Sequence, residues 1–201
     1  DGALGGGRSW NVIPLIPGKH PLRSLCDALS PLLGIPDVEL AARVRNDPPE
    51  LMRIIHRKLA QNLGLVLFID QLEEIVTIGE PEEARVVSLA LGHLCARSPG
   101  LHMLMTVRSD FLARVASVGG LGDELSRGLY LLRPLSADKM QEAIVGPAHI
   151  KGVNFESQDL INLLVETTAK TDGGLPLLQF ALTELWEARR GDTIAKAALD
   201  A

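Results

Sequence analysis

The chain has 201 residues, 46% of them hydrophobic and 22% charged, and its formal net charge is −5. These values are those of an ordinary globular protein, with room for one large α/β domain or for a main domain and a small helical one. No apolar run reaches the length of a membrane span, no signal peptide is evident, and no cluster of Lys and Arg offers a nucleic-acid surface, so we expect a cytoplasmic protein without membrane contact.

The first segments of the sequence predict one strand and several helices. Residues 1–9 are glycine-rich and are expected to be a flexible lead-in. Residues 10–16 predict an edge strand, because Pro14 removes a hydrogen-bond donor from the ladder. Helical apolar spacing then recurs in three segments: 21–31, 37–44 with Asp37 as its N-cap, and 51–59.

The stretch from Gly64 to Glu74 is the most informative part of the sequence. Apolar residues 64–69 lead without polar alternation into Asp70, and Glu73 and Glu74 follow. Such a run predicts a strand of a parallel sheet that is buried on both faces. Asp70 would then lie at the carboxyl end of the strand, where ligands of such sheets bind, and it is either a Mg²⁺-holding carboxylate or an ordinary helix N-cap.

Two further apolar runs predict the rest of the sheet. Residues 101–107 form the next strand, which ends at Arg108, and residues 129–132 form a third short strand. Helical patterns separate and follow these strands: 81–94, 109–119, and 137–145 with Ser136 as its N-cap. The alternation of strand and helix predicts an α/β fold with a parallel sheet.

The character of the sequence changes near Pro147, beyond which only helices are predicted. Ser157 is expected to cap one helix, and Pro176 lies at the start of another. We therefore predict an α/β core over residues 10–147 and a helical lid subdomain over 148–191. Residues 192–201 are expected to begin a further helical element that follows the lid.

Arg108 and Asp70 are the residues from which chemistry is predicted. A cation at the end of one strand, beside a carboxylate at the end of its neighbour, is suited to contact the γ-phosphate of a nucleotide. Taken alone, Arg108 also fits a surface salt bridge, and Pro176 fits an ordinary first-turn proline. The two cysteines, Cys26 and Cys95, form no CxxC and predict reduced thiols.

In combination these segments resemble the STAND class of P-loop NTPases, and within it the novel STAND NTPase domains of large bacterial signalling proteins, which often carry WD repeats. The resemblance covers residues 10–190. It depends on four segments in the same order: the Walker B strand at 65–74, the sensor strand and its exit at 107–112, the last sheet strand at 129–135, and the family's GxP segment at 174–187.

The resemblance implies ATP and Mg²⁺ as cofactors and assigns roles to individual residues. Asp70 would be the Walker B carboxylate that organises Mg²⁺, and Glu73 or Glu74 would polarise the attacking water. Arg108 would be sensor 1. Gly174 and Pro176 would approach the adenine from the lid. Gln71 departs from AAA+ relatives, many of which place Glu directly after the Walker B Asp, and this leaves the identity of the base open.

The sequence also lacks a feature of the family. No GxxxxGK[ST] occurs, and residues 5–9 have neither its lysine nor its spacing. In the family the phosphate loop precedes the strand predicted at residue 10. We therefore expect a piece of an AAA+/STAND-like core that begins after the first strand and binds ATP weakly by itself.

Three functions follow from the resemblance and from its departures. The first is an ATP-hydrolysing signalling switch that binds ATP and ADP, acts on effector or repeat domains of the same polypeptide, and assembles as a homo-oligomer. The second is a catalytically inert interaction scaffold, which is favoured by Gln71 and by the missing phosphate loop. The third is a DNA-associated regulator, which the negative net charge of this segment disfavours.

Overall fold

The computed structural model describes residues 7–60, 62–95, 98–171 and 173–196, without the side chains of residues 123, 126 and 127. The chain divides into two compact units, Asp1–Tyr130 and Leu131–Ala201. Each unit has a hydrophobic core of its own. The mixed α/β class predicted from the sequence is confirmed.

The first unit contains a three-stranded parallel sheet in the order β1-β2-β3. Its strands are Ser9–Leu15 (β1), Leu63–Ile69 (β2) and Leu101–Met105 (β3). The register pairs Leu15 with Ile69 and Ile69 with Met105, so that the three carboxyl ends are level. The predicted parallel sheet is confirmed, and β1 is the predicted edge strand of this sheet.

The two faces of β2 differ in burial. Leu65, Leu67 and Ile69 are buried in the core, whereas Val66 and Phe68 on the opposite face are half-buried. The prediction of burial on both faces therefore holds fully for only one of them. At the outer strands the second face is open, as shown by the exposed side chains of Val12 in β1 and Leu104 in β3.

Seven α-helices of the first unit lie in the described residues. They are Pro21–Leu33 (α1), Asp37–Asn46 (α2), Glu50–Leu59 (α3), Glu74–Thr77 (α4), Pro81–Leu94 (α5), Leu112–Ser117 (α6) and Gly122–Gly128 (α7). Their core-facing residues are the leucines, isoleucines and valines that recur at helical spacing. Cys26 in α1 is buried among them, which raises the pKa of its thiol to about 12, and both Cys26 and Cys95 are free.

Two predictions about helix ends are wrong. Asp37 is the first residue of α2 rather than its N-cap, which is Pro36. Pro31 lies inside α1, which continues to Leu33. The helix ends there because Gly34 adopts a left-handed conformation (φ 70°) and its N–H donates to the carbonyl of Ser30 at 2.8 Å.

The predicted third strand at 129–132 does not form. In the structure residues 129–136 have neither helical nor strand pairing. Tyr130 and Leu132 are exposed, at 83% and 87%. A strand exists only where its backbone groups pair with a neighbour, and an apolar run alone does not supply that neighbour.

The described residues of the second unit form three helices and a small parallel sheet. Its elements are Ala137–Ile150 (α8), Asn154–Phe155 (β4), Gln158–Lys170 (α9), Gly174–Glu187 (α10) and Thr193–Ile194 (β5). The predicted caps are confirmed: the hydroxyls of Ser136 and Ser157 accept from the backbone N–H of Lys139 and Leu160.

Two further predictions concern the ends of this unit. Pro147, where a lid was predicted to begin, lies inside α8, and the division between the units falls between Tyr130 and Leu131. The helix predicted from Thr193 is wrong at 193–194, which pair with β4 instead. Residues 197–201 lie outside the described residues. No helix in the described ranges has the length and apolar character of a membrane span.

Candidate functional site

Asp70 lies directly beyond the carboxyl end of the central strand β2. Its backbone N–H donates to the carbonyl of Leu15 at 2.9 Å, which continues the β1–β2 ladder by one residue. The side chain is half-buried. Because the neighbouring strands end at the same level, Asp70 is placed at the edge of the sheet where parallel α/β folds bind ligands.

The carboxylate of Asp70 is held by two donors on one oxygen. Oδ1 accepts a short hydrogen bond from the hydroxyl of Thr106 and a second from the backbone N–H of Gln71 at 3.1 Å. Among the described residues, no hydrogen bond is donated to Oδ2. Gln71 has a left-handed backbone (φ 57°), which is uncommon for a residue other than glycine. The carboxylate thus has one fixed oxygen and one that is open to a ligand.

Glu73 belongs to the same edge of the sheet, between β2 and β3. Its side chain is 8% exposed, and Oε2 accepts the backbone N–H of Arg108 at 3.3 Å. A carboxylate so deeply placed needs such a donor, because burial without one is costly. The structure therefore joins Glu73, after β2, to the backbone of Arg108, after β3. The sequence predicted the cation of Arg108 beside the carboxylate of Asp70, and in the structure that cation is held by Asp110 instead.

The guanidinium of Arg108 is paired with its near neighbour in sequence. Nε donates to Oδ1 of Asp110 at 3.1 Å, and Nη2 donates to Oδ2 at 2.8 Å. It also lies 5.4 Å from the ring centroid of Phe111. This two-pronged hydrogen bond raises the pKa of Arg108 and lowers that of Asp110. Both side chains are exposed, so the pair is open to competition from other anions.

Glu74 lies on the other side of the site, towards β1. Its Oε2 accepts the backbone N–H of Gly18 at 2.8 Å. Gly18 belongs to the turn between β1 and α1 and has a φ of 64°. The two glutamates, which the sequence could not separate, are therefore held by different loops. Glu73 faces the exit of β3, and Glu74 anchors the exit of β1.

Gly174 and Pro176 belong to the second unit. Gly174 is the first residue of α10, and a Cβ there would lie 2.3 Å from the carbonyl oxygen of Thr168 in α9. Only glycine fits this close approach without a shift of the backbone. Pro176 lies in the first turn of α10, where a backbone N–H would have no acceptor within the helix, so a proline costs no helical hydrogen bond there.

Thr106 and Asp110 are site residues that the sequence reasoning missed. Thr106 is the first polar residue after the apolar run of β3, just as Asp70 is the first after β2. The same rule applied to both strands would have found it. Asp110 stands two residues beyond Arg108, a spacing at which side chains of a helix do not face each other, and the pair forms at the 3₁₀ turn Ser109–Phe111.

The similarity of the chain to known proteins agrees with this geometry. The family described as Novel STAND NTPase 1 matches residues 3–201, nearly the whole length. The chain belongs to this family. The resemblance to STAND NTPases predicted from the four ordered segments is thereby confirmed. A comparison with curated proteins gave no match.

As a novel STAND NTPase domain, the chain is expected to use a nucleotide and a divalent metal in general terms. No three His, Cys, Asp or Glu side chains of the described residues are grouped closely enough to hold a metal ion by themselves. Asp70 fits the requirement in a different way, because it offers one open carboxylate oxygen to a cation whose other ligands are water and phosphate oxygens.

Proposed function

We propose that this chain carries the Walker B half of an ATP and Mg²⁺ site in a nucleotide-controlled signalling switch. The observation that supports this most directly is the state of Asp70 at the end of β2. Two donors hold its Oδ1, while Oδ2 receives none from the described residues. An ordinary N-cap carboxylate accepts the N–H of a residue two or three positions later, and Asp70 does not.

In this proposal Asp70 holds Mg²⁺ through Oδ2, directly or through a water molecule. Hard oxygen ligands suit the ion, and Mg²⁺ commonly takes one or two carboxylates and fills its remaining positions with water and phosphate. Bound there, the metal would neutralise charge on the phosphate oxygens during phosphoryl transfer.

Arg108 is proposed to contact the terminal phosphate. Its side chain is 68% exposed, and its guanidinium is held by the carboxylate of Asp110, whose shape and charge resemble those of a phosphate edge. On binding, the terminal phosphate of ATP would replace the Asp110 carboxylate as the group that accepts two hydrogen bonds from the Arg108 guanidinium. The loss of the Asp110 pair would accompany binding and would report the nucleotide state to the loop after β3.

Of the two glutamates, we assign the water-activating role to Glu73. It shares the β2–β3 exit with Asp70 and Arg108, and one of its oxygens is oriented by the backbone N–H of Arg108. Glu74 is directed instead to Gly18 at the exit of β1. We propose that Glu74 holds the loop in place and takes no part in the chemistry.

The remaining parts of the nucleotide site are proposed from the family. The resemblance implies that Gly174 and Pro176 approach the adenine, and this role is proposed from the family alone. The sequence contains no GxxxxGK[ST], so the phosphate loop would come from the natural polypeptide outside these 201 residues. Hydrolysis to ADP would reset the conformation that effector or repeat domains, or further copies in a homo-oligomer, recognise.

An inert scaffold is the second candidate, and one observation favours it. Both glutamates that are available as a base accept hydrogen bonds from backbone amides, and the residue after Asp70 is Gln71 rather than Glu. A domain that retained the fold and lost turnover would keep such structural hydrogen bonds and would not need a free base.

ATP hydrolysis by the natural gene product, expressed from the start of its reading frame, separates the two candidates. Mg²⁺-dependent turnover that is largely lost in Asp70→Asn and Glu73→Gln, and retained in Asp27→Asn at an exposed surface pair with Arg23, supports the switch. Turnover unchanged in Asp70→Asn removes this residue from the mechanism. ATP binding without turnover in the unaltered protein supports the scaffold.

A further inference from the structure

Thr106 makes hydrogen bonds to four consecutive residues of the Asp70 turn. Its backbone N–H donates to the carbonyl of Ile69 and its carbonyl accepts the N–H of Leu72, both at 2.9 Å. Its hydroxyl donates to Oδ1 of Asp70 and accepts the N–H of Gln71 at 3.0 Å. The residue thus connects the exit of β3 with both the backbone and the carboxylate at the exit of β2.

The two hydroxyl contacts act on different parts of the turn. The bond to Oδ1 fixes the rotation of the Asp70 carboxylate and leaves Oδ2 as the oxygen without a donor among the described residues. The bond from Gln71 helps to hold a left-handed backbone that a glutamine rarely adopts. A hydroxyl can make both contacts, since it donates and accepts at one atom.

We propose that Thr106 is the positioning residue of the cation site, which aims Oδ2 of Asp70 by holding Oδ1 and the Gln71 amide. This inference rests on the proposed function, because it gives Asp70 the role of cation ligand. Thr106 acts through Asp70 and touches neither the cation nor the nucleotide. Its role is that of the outer-shell partners that orient carboxylate ligands in metal sites.

Thr106→Val and Thr106→Ser are the matched pair of variants. Valine keeps the shape and the backbone hydrogen bonds but loses both hydroxyl contacts, whereas serine restores the hydroxyl. The Gln71 N–H is shared between the Thr106 hydroxyl and Oδ1 of Asp70, so Thr106→Val removes one of its two acceptors. In native-state amide exchange followed by NMR, we therefore expect the Gln71 amide to exchange about threefold faster in Thr106→Val, at the lower end of the effect of losing one hydrogen bond. The Leu72 amide, which is bound to the Thr106 carbonyl, should be unchanged, and Thr106→Ser should match the unaltered chain at both positions.

The second measurement uses Mn²⁺ as the probe of the cation site. Paramagnetic broadening of the amide signals of residues 70–72 and 106 should appear in the unaltered chain and in Thr106→Ser. Thr106→Val should need about tenfold more Mn²⁺ to give the same broadening, because it has lost an outer-shell partner of the ligand. Asp70→Asn should show no selective broadening.

The outcomes separate the inference from the proposal beneath it. Unchanged exchange at Gln71, or an unchanged Mn²⁺ titration, in Thr106→Val overturns the positioning role. Broadening that persists in Asp70→Asn overturns Asp70 as the ligand, and with it the proposed function, while the exchange result for Thr106 stands by itself. A lack of selective broadening in the unaltered chain overturns both.

Discussion

The backbone N–H of Gly18 donates to Oε2 of Glu74 at 2.8 Å, across 56 residues of sequence. This bond connects the turn after β1 with the helix that follows β2. The same turn is held a second time, by the N–H of Glu80, which donates to the carbonyl of Lys19 at 2.9 Å. The exit of β1 is therefore fixed by the segment that carries Asp70.

Glu74→Ala is expected to destabilise the first unit. It leaves the half-buried Gly18 N–H without its charged acceptor, and such a bond contributes about 1.5–3 kcal/mol to the free energy of unfolding. Urea denaturation followed by circular dichroism measures the loss. Glu74→Gln keeps an acceptor oxygen and should recover much of it.

The control for this prediction is Glu82→Ala. The side chain of Glu82 on α5 is 86% exposed and forms a surface ion pair with Arg85, so the change should be within about 0.5 kcal/mol. An equal loss in Glu74→Ala and Glu82→Ala would contradict the structural role of the Gly18 contact.

The pair of Arg108 and Asp110 predicts a pH dependence. Hydrogen bonding to Arg108 lowers the pKa of Asp110 from its ordinary value of 3.8. A carboxyl group with a depressed folded pKa stabilises the fold above its unfolded pKa, and this contribution is lost as the pH falls through the folded pKa. A carboxyl ¹³C titration should place the midpoint of Asp110 below 3.8.

Removal of the guanidinium provides the comparison for that titration. In Arg108→Ala the midpoint of Asp110 should return towards its ordinary value, because the hydrogen bond from Arg108 that lowers its pKa is gone. Arg85→Ala, which breaks a different surface pair, should leave it in place. A midpoint of Asp110 that is the same with and without Arg108 would show that the ion pair does not persist in solution.

Gly64→Ala tests the open face of the sheet. A Cβ at Gly64 in β2 would lie 2.4 Å from carbons of the Trp10 ring, which is stacked on His102 with centroids 5.1 Å apart. The indole must move to admit it, and we expect a loss of about 1–3 kcal/mol in the free energy of unfolding, as for other overpacked sites. The change in Trp10 surroundings should also shift the tryptophan fluorescence.

Gly119→Ala is the matched substitution. A Cβ at Gly119 meets nothing within 4 Å, and its backbone is not left-handed. Its effect should lie within about 0.5 kcal/mol, with unchanged fluorescence. If Gly64→Ala were as mild as Gly119→Ala, the stacking of Trp10 over Gly64 would be wrong.

Strong local patterns account for what the sequence predicted of the fold. The three parallel strands follow from apolar runs with turn residues at their ends, and the caps Ser136 and Ser157 follow from a hydroxyl before an apolar helical pattern. The strand predicted at 129–132 has an apolar pattern of the same kind. It failed because strand formation depends on a pairing partner that is far away in sequence.

The candidate site also has features that the sequence could predict and features that it could not. The positions of Asp70 and Arg108 just beyond neighbouring strands were predictable because parallel strands bring their carboxyl ends to one edge. The pairing of the Arg108 guanidinium with Asp110 was not predicted. The different contacts of Glu73 and Glu74 were not predictable. Glu73 is the N-cap of α4 and Glu74 its first residue, and each accepts a backbone N–H from a residue that is distant in sequence, Arg108 for Glu73 and Gly18 for Glu74. The contact of Thr106 with Asp70 likewise depends on the β2–β3 register, which no local pattern contains.

The last prediction concerns ATP binding by the 201-residue chain itself. Backbone amides and the lysine of a Walker A loop supply most of the affinity for a triphosphate, and the sequence contains no GxxxxGK[ST]. Isothermal titration with ATP and Mg²⁺ should therefore give no saturable heat at micromolar nucleotide, and melting should shift little. Asp70→Asn should behave like the unaltered chain in this assay, because one carboxylate with a weakly held cation adds little affinity without the phosphate loop. A micromolar dissociation constant that is weakened in Asp70→Asn would contradict the prediction and would mean that the 201-residue chain binds the triphosphate by itself.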